Sequence, residues 1–203
     1  MSQQKKKPKF KRGFKKWSDD KCLELRKKLG LKNISPLCGF DLCKFFKIPI
    51  LTPGEIKGQD PKMLKHLLSN GSNDWSAATV PLGNDKYLVI HNNTHSLPRQ
   101  QSNVMHELAH IICGHKVDQD KLSLGLSGFL RDYNEEQENE AEWLGACLQL
   151  PRPALIWALK KGMSERDIAD YFNASIEMTR YRINITGVKA QLHYSKLNRY
   201  NYP

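Results

Sequence analysis

No stretch of the 203-residue chain approaches the ~18 uninterrupted apolar residues of a membrane span. Neither end carries a lipidation motif, so a cytoplasmic protein with no membrane partner is expected. Cysteine is sparse: five residues, Cys22, Cys38, Cys43, Cys113 and Cys147, with no C-x-x-C pair among them. That odd, scattered set argues against a disulfide framework or a zinc knuckle. Cys113 and Cys147 fall in apolar runs and read as small core residues in a reducing compartment. Acidic residues are also short, 21 against 32 Lys and Arg, giving a net charge of +11. Much of the excess sits at the front, in Lys5, Lys6, Lys7, Lys9, Lys11, Arg12, Lys15 and Lys16. No apolar core follows this block, so it is no signal peptide. Residues 1–16 read as a disordered basic tail, with a nucleic-acid-binding arm as the alternative. No repeat of solenoid length is visible. What remains, at 39% hydrophobic residues, is enough for one ordinary core and a small helical annex.

Residues 103–115, NVMHELAHIICGH, contain His106, Glu107 and His110 in the pattern H-E-x-x-H. On a helix, residues four apart share a face, so both imidazoles reach one zinc ion and Glu107 reaches a water beside it. Val104, Leu108, Ile111 and Ile112 offer the side that packs. The plain alternative is a core helix that happens to carry two histidines.

Two histidines leave a zinc site incomplete. In a metzincin the third ligand is a histidine six residues after the second, with a glycine at plus three; here those places hold Lys116 and Cys113. Gly114 and His115 are each out by one. The other solution is a glutamate from a second helix. Residues 135–150, EEQENEAEWLGACLQL, are acidic at the start and amphipathic afterwards. Acidic residues favour a helix N-terminus through the dipole, which accounts for Glu135 and Glu136. It accounts less well for Glu138 and Glu142, four apart and continuing into an apolar helix. The expectation is that Glu138 binds the metal and Glu142 accepts a hydrogen bond from a ligand histidine. Glu142 remains a competitor for the ligand place.

The rest of the chain places this pair. Residues 17–29 read as a helix with Ser18 as its N-cap, ended by Gly30. Helices follow over 37–46 and 63–68, and two β-rich runs, 75–82 and 86–91, are joined by Gly83, Asn84 and Asp85 as a hairpin. Beyond Pro151 and Pro153 come helices over 154–161, 164–172 and 175–184, the middle one capped by Ser164 with Asp167. Two short helices about a tight turn suggest a helix-turn-helix, with Arg180, Tyr181 and Arg182 suited to phosphate or base contacts. The preferred reading is a helical cap on the core.

The zinc-helix pair resembles the ImmA/IrrE group of zinc metallopeptidases, whose second signature reads here as ENEAEWLGACLQLP, Glu138 to Pro151. RGFKKW, WSAATV, HNNTHSLPRQQSNVMHELAH and IADYFNASIEMTRYRINITG are similar to family segments as well. Two positions depart from the pattern: Glu142 stands where asparagine is usual, and Gly145 where alanine is common. The resemblance implies an α+β fold with a small, mainly antiparallel sheet, two zinc-binding helices, N-terminal helices and a C-terminal helix-turn-helix-like subdomain. The organisation expected is a tail over 1–16, a peptidase domain over 17–151 and a helical subdomain over 152–203. The resemblance also implies one Zn2+ per chain held by His106, His110 and Glu138, Glu107 as general base, and a DNA-binding repressor as substrate. Tyr133, His91 and His95 are candidates for stabilising the oxyanion, and the strand ending near His91 for pairing with substrate. The rival is a DNA- or repressor-binding module with a structural or inactive zinc site.

Overall fold

The computed structural model describes residues 10–58, 60–116 and 134–200, with side-chain surroundings as far as 194. Helix α1, Phe14–Lys28, opens after Gly13 in a left-handed conformation (φ 86°). It therefore starts a turn earlier than its sequence suggests. Phe10 stacks on Phe14 with ring centroids 5.7 Å apart and meets Trp143 edge-on at 5.2 Å. Lys15 Nζ lies 4.1 Å from the Trp143 ring. Residues 10–16, expected in the tail, are thus part of the fold, because two phenylalanines among the lysines have aromatic surface to bury. Residues 1–9 of that tail lie outside the described residues. Ser18, expected as an N-cap, sits inside α1 and donates to Phe14 O at 2.9 Å.

After α2 (Gly39–Phe45) come the two-residue strand β1 (Ile50–Leu51), a 3-10 turn at Pro53–Glu55 and α3 (Pro61–Leu68). The hairpin follows as β2 (Ala77–Gly83) and β3 (Lys86–His91), closed by Asn84 and Asp85 at φ 50° and 55°. Two consecutive positive φ angles are what a two-residue type I′ turn requires, and Asn and Asp tolerate them. The strands run in the order β1-β3-β2, with β1 parallel and β2 antiparallel to β3. Both sides of β3 are therefore occupied. The strand expected to pair with substrate is internal, and the sheet edges are the two-residue β1 and the longer β2.

Helices α4 (Leu97–Cys113) and α5 (Glu135–Gln149) pack against each other, and α6 (Arg152–Lys160), α7 (Glu165–Phe172), α8 (Ile176–Thr186) and α9 (Val188–Tyr200) follow. Helix α9 was not legible as a separate element; Gly187, at φ 65°, ends α8 and lets the chain start again. The fold is α+β, as expected. One core gathers Leu25, Leu42, Val89, Val104, Leu108, Leu144 and Leu148; a second gathers Leu150, Leu155, Ile168, Phe172, Ile183 and Val188. Among the described residues no helix is long and apolar enough to cross a membrane.

The two cores meet at the end of α5, where the last carbonyls of a helix lack internal partners. Arg26 of α1 donates to Leu148 O at 2.8 Å, and Arg182 of α8 donates to Leu150 O through Nε and Nη2 at 3.2 and 3.1 Å. Both guanidiniums are fully buried. They also bring positive charge to the negative end of the helix dipole. Gln149 adds links to Ser102 of α4 and to Asn173 O in the α7–α8 turn. Arg182 is therefore a structural clamp and not a candidate for DNA contact. Arg180 is held by Glu165 Oε2 at 3.1 Å, and Lys189 by Glu165 Oε1 at 3.1 Å.

Candidate metal centre

Helix α4 begins after Ser96 with Pro98 in its first turn and ends at Gly114, left-handed at φ 67°. Its buried arc takes in Gln100, Gln101, Val104, Met105, Leu108 and Ala109 as well as Glu107 and His110. Ile111 and Ile112 are only half-buried. The arc is wider than the expected stripe because α5 covers one side of α4 and α2 and the sheet cover another. Close approach of α5 is set at Gly145: a Cβ there would lie 3.2 Å from Met105 O and 3.3 Å from His106 Cα. The glycine that departs from the family pattern thus stands directly against the backbone of the first histidine.

On the exposed end of this contact, His106 Nε2 and His110 Nε2 are 3.0 Å apart. Glu138, in the first turn of α5, places Oε2 at 3.2 Å from His106 Nε2 and Oε1 at 3.6 Å from His110 Nε2. Ligand atoms of the three residues all lie within 4.8 Å of one another. A tetrahedral zinc with ligands at about 2.0–2.1 Å has edges of about 3.3 Å, so this donor set fits such an ion. Asn134 caps α5 with Gln137 in a capping box, which fixes where the first turn begins and hence where Glu138 stands.

The two histidines sit in different surroundings. His110 has 1% of its side chain exposed, His106 32%. Burial pulls the His106 pKa down, but the hydrogen bond to Glu138 and the charges of Glu107, Glu138 and Glu142 together raise it above the usual imidazole value. Glu107 is buried between α4 and the sheet, and Thr79 Oγ1 of β2 donates to its Oε2 at 2.6 Å. Thr79 carried no signal in the sequence, being one more β-branched residue in a strand.

Glu142, expected to support a ligand histidine, is exposed and makes no hydrogen bond to either histidine among the described residues. It stands a full turn beyond Glu138, past the ligand level, and influences His106 through charge alone. The residues behind the ligands are others. His110 Nδ1 is 2.9 Å from His115 Nδ1, and His115 Nε2 is 3.0 Å from Glu140 Oε2.

Of the oxyanion candidates, His95 has both ring nitrogens engaged, with Ser72 O and Asn92 on one side and Asn103 on the other. His91 packs edge-on against Phe40 with centroids 5.1 Å apart. Tyr133 lies outside the described residues. Glu135 and Glu136 are exposed in the first turn of α5.

With this geometry in view, comparison with known families is specific. The Peptidase_M78 model, described as an IrrE N-terminal-like domain, matches residues 65–184. The match runs from within α3 to near the end of α8, so α6, α7 and most of α8 lie within the matched region, while α9 lies beyond it. No curated protein matches the sequence significantly.

Proposed function

The chain belongs to the Peptidase_M78 family, the IrrE N-terminal-like metallopeptidases, and we propose that it is a zinc-dependent endopeptidase that cuts a DNA-binding repressor. The observation that carries the catalytic part is the convergence of His106, His110 and Glu138 with Glu107 buried alongside, held by Thr79. His106, His110 and Glu138 would hold one Zn2+. Bound there, zinc supplies Lewis acidity that acidifies water and polarises a peptide carbonyl.

Glu107 accepts the proton of the attacking water and returns it to the leaving amine. Thr79 fixes the orientation of that carboxylate in its buried setting. An extended peptide is best accommodated along β2, the edge strand that also carries Thr79, by strand addition. The choice of a repressor as substrate rests on the sequence resemblance to ImmA/IrrE peptidases. A cytoplasmic location is supported by five free thiols. The rival reading, a DNA-binding module, is opposed by Arg182, whose guanidinium is spent on Leu150 O.

The test is metal analysis of the purified chain, followed by incubation with the product of the neighbouring gene and with other DNA-binding repressors. Zinc near one equivalent per chain and a specific cut, both lost in Glu138→Ala, are expected. A zinc-loaded chain that cleaves no repressor would sink the substrate assignment.

A further inference from the structure

The second histidine pair lies behind the metal site, and its arrangement follows from how α4 ends. Gly114 adopts the left-handed conformation at C′, and His115 N then donates to His110 O at 3.0 Å. This closing turn folds the chain back, so that the His115 ring comes to lie edge-on to His110 with centroids 5.0 Å apart. The histidine one place too early to be a metzincin ligand is thereby set edge-on against His110.

The proton arrangement is determined by the chemistry at the two ends. His110 turns Nε2 towards His106 and Glu138, so a neutral His110 that offers its Nε2 lone pair to a metal carries its proton on Nδ1. That Nδ1–H donates to His115 Nδ1 at 2.9 Å, which must therefore bear a lone pair. His115 in turn holds its proton on Nε2 and donates it to Glu140 Oε2 at 3.0 Å. Every proton in the chain from carboxylate to ligand has one place to be.

The burial of Glu140 argues that this is more than packing. Only 4% of its side chain is exposed, and Oε1 has no hydrogen-bond partner among the described residues. Burying a carboxylate costs several kcal/mol unless its lone pairs are satisfied. For stability alone an apolar residue would serve better at this buried position, just before Ala141.

We infer that His115 and Glu140 form a positioning relay that holds His110 in the Nδ1–H tautomer with Nε2 presented to the metal. The inference rests on the zinc-site reading above. Carboxylates behind ligand histidines raise ligand basicity and fix ring orientation, and losing them costs about 10–100-fold in metal affinity or activity. Here the carboxylate acts through an intervening imidazole, so both members are needed and neither works alone.

The test is zinc affinity of the full chain, by competition with a chromogenic chelator, together with the visible spectrum of the cobalt-substituted protein. Unaltered chain should bind one zinc and Glu138→Ala should lose it; failure of the unaltered chain to bind would end the metal-site reading and the relay with it. Given that binding, Glu140→Leu and His115→Phe should each weaken zinc by about 10–100-fold and alter the cobalt spectrum. The double variant should be no worse than the weaker single one, because the two act in series. Glu140→Gln keeps an acceptor oxygen and should recover most of the loss; His115→Phe carries the test if Glu140→Leu does not fold. Zinc affinities within about twofold of the unaltered chain in folded Glu140→Leu or His115→Phe, or losses that add in the double variant, overturn the relay. So does a Glu140→Gln variant no better than Glu140→Leu.

Discussion

Helix pairs α4–α5 and α7–α8 both present, in sequence, polar residues suited to chemistry on amphipathic helices, yet the structure uses them in opposite ways. In α4–α5 the polar groups converge: His106, His110 and Glu138 bring their ligand atoms within 4.8 Å, with Glu107 buried beside them. In α7–α8 the two arginines are engaged within the fold. Arg182 is spent on Leu150 O, while Arg180 shares Glu165 with Lys189. A motif signals function when its polar atoms are left facing one another across a gap, and architecture when each is absorbed by backbone or counter-charge. Arg182 is of the second kind.

The comparison breaks most visibly at Glu107. Glu107→Gln keeps the shape and cannot take a proton, so cleavage should fall by about 100- to 10,000-fold while zinc stays bound. Peptide turnover beside metal content measures this, and equal turnover by the two zinc-loaded proteins would reject Glu107 as base. A change at Arg182 should do the reverse. Arg182→Met leaves Leu150 O buried without its donor, at a cost of about 1–3 kcal/mol in unfolding by urea. The folded fraction should bind zinc as before.

How much of this was legible follows from what each residue needs. His106, Glu107 and His110 could be read because ligand spacing on one helix is a local property. Glu138 could be read because only a second helix could complete the set. Thr79, His115 and Glu140 could not, since each matters through a partner brought close by tertiary packing: Thr79 across 28 positions, His115 across 25. Glu142 is expected behind a ligand histidine because four-residue periodicity counts faces and not axial level. The early start of α1 escaped for a similar reason. Phe10 and Phe14 look like isolated apolar residues in a basic run until Trp143 arrives from the far end of the sequence.

Thr79 sharpens the comparison within the site. Thr79→Val is close in shape and removes one hydrogen bond to a charged group, worth about 1.5 kcal/mol, so kcat should drop about tenfold with KM and zinc content little changed. Thr79→Ser should restore most of it. A Ser variant as slow as the Val variant would mean that the methyl, and not the hydroxyl, matters.

Acid should separate the two histidines further. His106 has its pKa raised above its ordinary 6.5 in the metal-free site, so as pH falls through that raised value a proton competes with the metal for the ring. Zinc affinity should therefore decline from a pH above 6.5 downwards. In the metal-free protein the sign is opposite for folding: the stabilisation from this shift is full below 6.5 and is lost as pH rises through the raised pKa. Glu142→Gln removes one of the charges that raise it, and should move the acid limb of zinc binding slightly lower. An unmoved limb would show that solvent screens the exposed Glu142 completely.

The smallest effect is expected at Arg180, and it tests the other half of the comparison. Arg180 is mostly exposed, with 59% of its side chain accessible, and its partner Glu165 also has Lys189 at 3.1 Å. Removing one of two exposed cations around a carboxylate that keeps the other changes little. Arg180→Ala should therefore leave the thermal midpoint, zinc content and cleavage unaltered. Any affinity of the chain for DNA should be weak, steeply salt-dependent and the same for a scrambled duplex, since lysines near the N-terminus act through phosphate charge. Deleting residues 1–9 should lower that affinity, and Arg180→Ala should not. A sequence-selective complex that survives the deletion and is erased by Arg180→Ala would show that α8 reads bases after all, with Arg182 serving only to hold the helix that does so.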